Sequence, residues 1–136
     1  FPGRRGRQQI VERPDPGVLA WMDTQEMSAV WLCSINVLEV ELGIELVDTT
    51  ERRLRLRQLW LQLLDQDFGR RVLQFDGIAA THTASLLALK RKQGRTIELR
   101  DAMIAGIAQH HGCLLATRNV RHFEDCSVAL INPWAL

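Results

Sequence analysis

No stretch of this chain is apolar for long. Its longest unbroken runs, such as residues 30–33 and 113–116, fall far short of the ~20 residues that a membrane helix needs. The opening Phe1-Pro2-Gly3-Arg4-Arg5-Gly6-Arg7 leads into only Ile10-Val11, not the ~7–15 apolar residues of a secretory signal. No membrane association is expected, and the expected location is cytoplasmic. Cysteine is scarce: the chain has three, an odd number without the spacing of a small secreted domain, which favours free thiols over a disulfide framework. Glycine-rich phosphate loops and a Gly-x-Ser-x-Gly elbow are missing, which removes support for nucleotide-loop and serine-hydrolase chemistry. Charge of one sign is missing too, since the formal net charge is only +1. A strongly basic nucleic-acid-binding body is thereby excluded.

What remains is a chain of 136 residues, 46% of them hydrophobic, enough for one layered domain without staples. Its basic character is concentrated in Arg4, Arg5, Arg7 and Arg13. Residues 1–13 therefore read as a basic, atypical leader that is expected to be disordered, and residues 14–136 as the domain. Past Pro14 and Pro16, Val18, Leu19, Trp21 and Met22 form a short helical stripe. The continuous apolar run at residues 29–35 has the pattern of a strand buried on both faces. Val37, Val40, Ile44 and Val47, then Leu54, Leu56, Leu59, Trp60, Leu63, Leu64 and Phe68, recur at helical spacing and predict two consecutive helices.

Residues 72–75 form the next candidate strand, and Asp76 is placed to cap a helix through Ile78, His82, Leu86 and Leu89 that ends near Gly94. A fourth helix, 102–110, is rich in small side chains, opened by Arg100-Asp101 and closed by Gly112. Strands at 113–117 and 128–131 follow, separated by the polar turn Arg118-Asn119-Val120-Arg121-His122. The alternation predicts an α/β fold with a mostly parallel sheet, whose ligands bind beyond the carboxyl ends of the strands.

Polar residues at those ends are the site candidates: Asn36 with Glu39, Asp101, and Asn119. Carboxylates gathered in one cleft repel one another, and a divalent cation held by one or two of them plus waters resolves the conflict. Taken residue by residue, the alternative is simpler: Glu39 as a solvated helix position and Asp101 as a first-turn charge favoured by the helix dipole. His110, His111, Cys113, His122 and Cys126 raise a zinc reading. It ranks lower, because neither Cys-x-x-Cys nor a His-x₃-His pair is present and adjacent histidines fit surface positions. Arg52, Arg53, Arg55 and Arg57, with Lys90, Arg91, Lys92 and Arg95, either meet RNA phosphates or form solvated, salt-bridged helix faces. Arg118 and Arg121 are the better phosphate candidates.

The order of the motifs narrows these readings. The run from Pro14 to Met22, then Ser34-Ile35-Asn36-Val37-Leu38-Glu39 with Gly43-Ile44-Glu45, resembles the PIN-domain family, specifically its VapC- and FitB-type toxins. So do Gly94-Arg95-Thr96-Ile97, Arg100-Asp101-Ala102-Met103-Ile104-Ala105, Leu115-Ala116-Thr117-Arg118-Asn119 with His122-Phe123, and Leu130-Ile131-Asn132-Pro133-Trp134. The resemblance covers roughly residues 14–136.

It implies a three-layer α/β/α sandwich and Mg²⁺- or Mn²⁺-dependent endoribonuclease activity, held in check by a cognate antitoxin. Under it Glu39 and Asp101 are metal ligands and catalytic acids, Asn119 arranges the cluster, and Arg118 and Arg121 contact the RNA phosphate. His122 stands where many relatives have aspartate. Relatives begin with an apolar strand ending in an Asp-Thr-Asn-like motif. Here residues 1–12 hold no aspartate, so the first strand is expected to be altered or missing. Two remaining acids are expected to bind Mg²⁺ weakly unless Glu12, Glu124 or RNA adds oxygen ligands. The alternative function is a catalytically disabled PIN-like binding module that keeps the dimer and antitoxin surfaces. The outer side of the 54–68 helix and its predecessor is the expected place for a homodimer contact or an antitoxin helix.

Overall fold

The computed structural model describes residues 29–117 and 120–132. Two compact units divide the chain after Val72. The first begins with a short strand β1, Leu32–Cys33, which runs straight into helix α1, Ser34–Glu45. The apolar run 29–35 is thus a strand for two residues only, and Ile35 is already helical. Cys33, in an extended conformation, starts the helix, and its backbone N–H donates to Asn36 Oδ1 at 2.9 Å. A short apolar run does not distinguish a buried strand from a buried helix start. The local cap decides the matter.

Helix α2, Thr50–Gln62, continues as one π-helical turn, Leu63–Asp67, in which the Phe68 N–H reaches back to the Leu63 carbonyl at 3.1 Å. The wider turn brings Leu63, Leu64 and Phe68 to the same buried side. With Ile44 and Trp60 they form the first unit's core, against which Leu32, Val37, Val40, Leu56 and Val72 pack. The two predicted helices are present. Strand β2, Val72–Leu73, ladders with β1 through the Leu32 N–H and the Arg71 carbonyl, 3.1 Å apart. The prediction extended this strand to Phe75.

In the second unit α3, Gly77–Lys92, is capped as expected: the Ala79 N–H donates to Asp76 Oδ1 at 2.9 Å. Its far end closes at Gly94, which has φ +67°. There the Gly94 and Arg95 N–H groups return to the Arg91 and Lys90 carbonyls, a left-handed stop that suits glycine. Helix α4, Leu99–His111, stops at Gly112 in the same conformation. Its small residues lie against α3: Ala102 and Ala105 are fully buried, and a Cβ built on Gly106 would come within 2.7 Å of the Ala79 carbonyl.

Strands β3, Leu115–Ala116, and β4, Leu130–Ile131, pair in parallel with Leu115 opposite Leu130 and Ala116 opposite Ile131. The short helix α5, Val120–Phe123, lies between them. Both strands are shorter than predicted, and Leu114, expected in a buried strand, is exposed. Leu86, Ala102, Ala105, Phe123 and Cys126 make the second core, with Leu115, Val128 and Leu130 against it. All three cysteines are free. The stripe at residues 18–22 and the leader lie outside the described residues.

Candidate functional site

Glu39 belongs to the first unit. It sits in the second turn of α1 with its side chain exposed, and among the described residues its carboxylate is not ion-paired. Asn36, three residues earlier, is committed to the helix start through the Cys33 N–H. The other acids of α1 are engaged: Glu41 accepts the Trp60 indole N–H at 2.9 Å, and Arg57 bridges Glu41 and Glu45. Bonding to Glu41 raises the Arg57 guanidinium above its already high range. Arg53 is turned onto the Val47 carbonyl at 3.1 Å. Of the four arginines of α2, Arg57 and Arg53 therefore have structural partners, while Arg52 and Arg55 are exposed.

Asp101 lies in the first turn of α4, where the helix dipole favours a negative charge, with its side chain only 16% exposed. Across from it, on α5, stands His122. The His122 Nδ1 and Asp101 Oδ2 are 3.0 Å apart, and the imidazole is 56% exposed. Each of the two precedes an anchored core residue, Ala102 at 0% exposure and Phe123 at 3%. Packing on both elements therefore holds the pair together. Sequence reading placed His122 at an aspartate-like position without making it part of the site. The usable signal was its position one residue before Phe123 in the turn after β3. Arg121, beside it, is exposed. Asn119 and Arg118 lie outside the described residues.

The turn after α5 is tied down from several sides. Lys90, at 5% exposure, donates to the Glu124 carbonyl at 3.1 Å, so it is not the surface phosphate contact that the basic run at 90–92 suggested. Arg95, from the same basic set, pairs with Asp125 at 3.0 Å. Gln109 donates to the Cys126 carbonyl. Burial pushes the Cys126 thiol up from its ordinary range, and the nearby Lys90 charge works in the opposite direction. Burial likewise raises the Cys33 thiol.

At the other end of α4 a second group of titratable side chains gathers. His110 lies 4.2 Å from His111 and 6.4 Å from His82, ring centre to ring centre. Its Nδ1 is buried without a hydrogen bond, 3.4 Å from Asp76 Oδ1. His110 is thus a packed residue, not the surface one expected. The Ala79 N–H, helped by His110 and His111, lowers the Asp76 carboxyl below its ordinary range. A cavity of about 500 Å³ is lined by His82, Gln109, Cys113 and Ser127. Among the described residues no three His, Cys, Asp or Glu side chains are grouped to hold a metal ion, and no helix is long and apolar enough to cross a membrane.

Comparison with known proteins bears on these positions. The family model described as the PIN domain matches residues 9–127, a span that takes in both units. The plasmid stability protein StbB of Pseudomonas syringae pv. tomato is 38% identical over 121 residues, which is 89% of this chain and 87% of that protein. A VapC ribonuclease of Sinorhizobium fredii is 36% identical over 122 residues, 89% of this chain and 86% of that one. The crystal structure of FitAcB from Neisseria gonorrhoeae superposes with a TM-score of 0.87 at 29% identity, covering 98% of this chain and 96% of that one.

Proposed function

The chain belongs to the PIN-domain family, among its VapC- and FitB-type members, and from that membership we propose that it is a Mg²⁺- or Mn²⁺-dependent endoribonuclease toxin restrained by a cognate antitoxin. The observation that carries this reading is the match to a VapC ribonuclease across 89% of the chain. The substrate is RNA, and the working location is the cytoplasm. We assign the domain to residues 14–136, after the leader at 1–13.

Glu39 and Asp101 are the residues that would hold the ion. Asp101 suits it chemically, since a carboxylate oxygen is the donor that Mg²⁺ and Mn²⁺ prefer. When bound, such an ion activates water and stabilises charge in an in-line phosphoryl displacement. The remaining roles fall to the chain's own groups. Asn119 orients the acidic cluster or a water by hydrogen bonding. Arg118 and Arg121 draw the scissile phosphate in and offset its charge. The burial of Asp101 strengthens every electrostatic contact it makes.

Leu38 and Leu42 on α1 and Leu46 at its C-terminal cap, exposed at 49%, 45% and 72%, recur every four residues. This pattern supports the proposal that a second copy or the antitoxin covers this helix. A purified chain that sediments as a monomer at micromolar concentration would count against the homodimer.

The test of activity is cleavage of a mixed structured-RNA pool with Mn²⁺, with EDTA, and by Asp101→Asn and Glu39→Gln. The expected result is cleavage that needs the ion and falls by at least about 10²-fold in each variant. One observation favours a second reading: the Asp101 carboxylate already has a partner in His122, as in a binding module that has given up catalysis. A folded chain that binds its antitoxin but leaves RNA intact in the presence of Mn²⁺ would establish that reading instead.

A further inference from the structure

The start of α3 meets the end of α4. Thr83 is bonded to the Ala102 carbonyl near the start of α4 at 3.2 Å, Ala79 lies against Gly106, and Asp76 stands beside His110. The two helices therefore run antiparallel, with the cap of α3 against the last turn of α4. An anion at a helix start and a cation at a helix end are both favoured by the helix dipole. Yet the contact between these two groups is incomplete. His110 Nδ1 is buried and makes no hydrogen bond, although Asp76 Oδ1 lies only 3.4 Å away. That oxygen already accepts the Ala79 N–H at 2.9 Å, and a carboxylate oxygen has a second lone pair for another donor. The Asp76 carboxyl, held below its ordinary range chiefly by the same N–H, is still charged where imidazoles take up protons.

The titratable groups that face His110 are Asp76 and His82 from α3 and its cap, and His111 from its own helix. The two neighbouring imidazoles stand 6.4 Å and 4.2 Å away, ring centre to ring centre. A charge on either works against one on His110, and the Asp76 carboxylate works for it. Burial of Nδ1 shields this end of the contact from solvent screening.

We propose that His110 and Asp76 form an acid-engaged latch. When His110 takes up a proton, its Nδ1–H closes on Asp76 Oδ1 and ties the start of α3 to the end of α4; when the proton leaves, the tie opens. The latch contributes stability while His110 is protonated and Asp76 ionised. That contribution is lost as pH rises through the imidazole range, and again as pH falls through the carboxylate range. None of its residues belongs to the proposed metal set, so it stands or falls apart from the metal-dependent reading.

The experiment is a double-mutant cycle on the full chain, measured by urea unfolding at about pH 5.5 and about pH 8.5, on either side of the ordinary imidazole range. His110→Gln removes the Nδ1 donor, and Asp76→Asn keeps a capping oxygen while removing the charge. The coupling between them should shift the unfolding equilibrium at least about threefold at the lower pH and vanish at the higher one. His110→Asn, which offers an uncharged N–H near the Nδ1 position, should couple to Asp76 equally at both. Nitrogen NMR of the imidazoles in the parent should show the His110 Nδ1–H protected from exchange in acid, and that protection should be lost in Asp76→Asn.

Equal coupling of His110 and Asp76 at the two pH values would overturn the proposal, because a neutral Nδ1–H would then already hold the carboxylate. No coupling at the lower pH would overturn it as well. So would a pH dependence of stability that survives His110→Gln and disappears in His82→Gln or His111→Gln, which would assign the titration to a neighbouring ring.

Discussion

Replacing Gly106 by alanine sets two physical effects against each other at one position. Helix propensity alone favours the change by about 1 kcal/mol, because alanine gives up less backbone freedom in a helix interior. Packing opposes it. A Cβ at Gly106 would stand 2.7 Å from the Ala79 carbonyl oxygen and 3.1 Å from the Thr83 nitrogen, where ordinary contact begins at 3.4 Å, and it would come closer still to Thr83 Oγ1. The first two are backbone atoms of α3 and cannot rotate away. Thr83 Oγ1 is itself bonded to the Ala79 carbonyl at 2.9 Å and the Ala102 carbonyl at 3.2 Å. Moving it costs about 1 kcal/mol of hydrogen bonding. Overpacking at a site with no room costs about 3 kcal/mol.

The hydrogen-bond loss and the propensity gain cancel to first order, leaving Gly106→Ala about 3 kcal/mol less stable. In a chain of this length that lowers the melting temperature by roughly 10 °C. Urea and thermal denaturation followed by circular dichroism measure it. The double variant Thr83→Ala with Gly106→Ala should recover only part of the loss, since the Ala79 carbonyl remains. Its coupling energy isolates the hydroxyl contact. A melting temperature equal to or above that of the parent would refute the reasoning and show that α3 and α4 separate freely at this point.

Three further outcomes can be checked. Trp60→Ala, at a side chain 2% exposed that also donates to Glu41, should destabilise by about 3–5 kcal/mol, and a urea-derived loss under 1 kcal/mol would contradict the first core as described. The lowered Asp76 carboxyl has a definite sign: its contribution is present above the ordinary carboxylate range and disappears as pH falls through the depressed folded value. Melting curves taken from neutral pH down through about pH 4 and below should therefore show a shallower acid loss in Asp76→Asn than in the parent, and parallel curves would show that another group is responsible. Asp101→Asn should lose RNA cleavage while keeping its melting temperature within a few degrees; retained cleavage would exclude Asp101 from the catalytic set.

Local signals in the sequence were enough for the helix caps and stops. Asp76 capped its helix and Gly94 and Gly112 ended theirs, because a cap or a left-handed stop involves residues only a few positions apart. Helical spacing located α1 and α2 and the side of each that packs inward. The ordered motifs located the family and with it the α/β fold. Strand length was not legible: at 29–35 the apolar run served a two-residue strand and then a helix, and the choice lay with the Cys33–Asn36 hydrogen bond.

Only tertiary structure decided which charges stay free. Lys90 sits in a run of three basic residues yet is buried on the Glu124 carbonyl, while Arg57 is taken up by carboxylates on another helix. His122 and Asp101, 21 residues apart, meet at 3.0 Å because Ala102 and Phe123 share a core. Spacing along a chain encodes contacts within one helix or turn. Contacts between elements depend on how their buried faces pack, and the sequence carries no local mark of that partner.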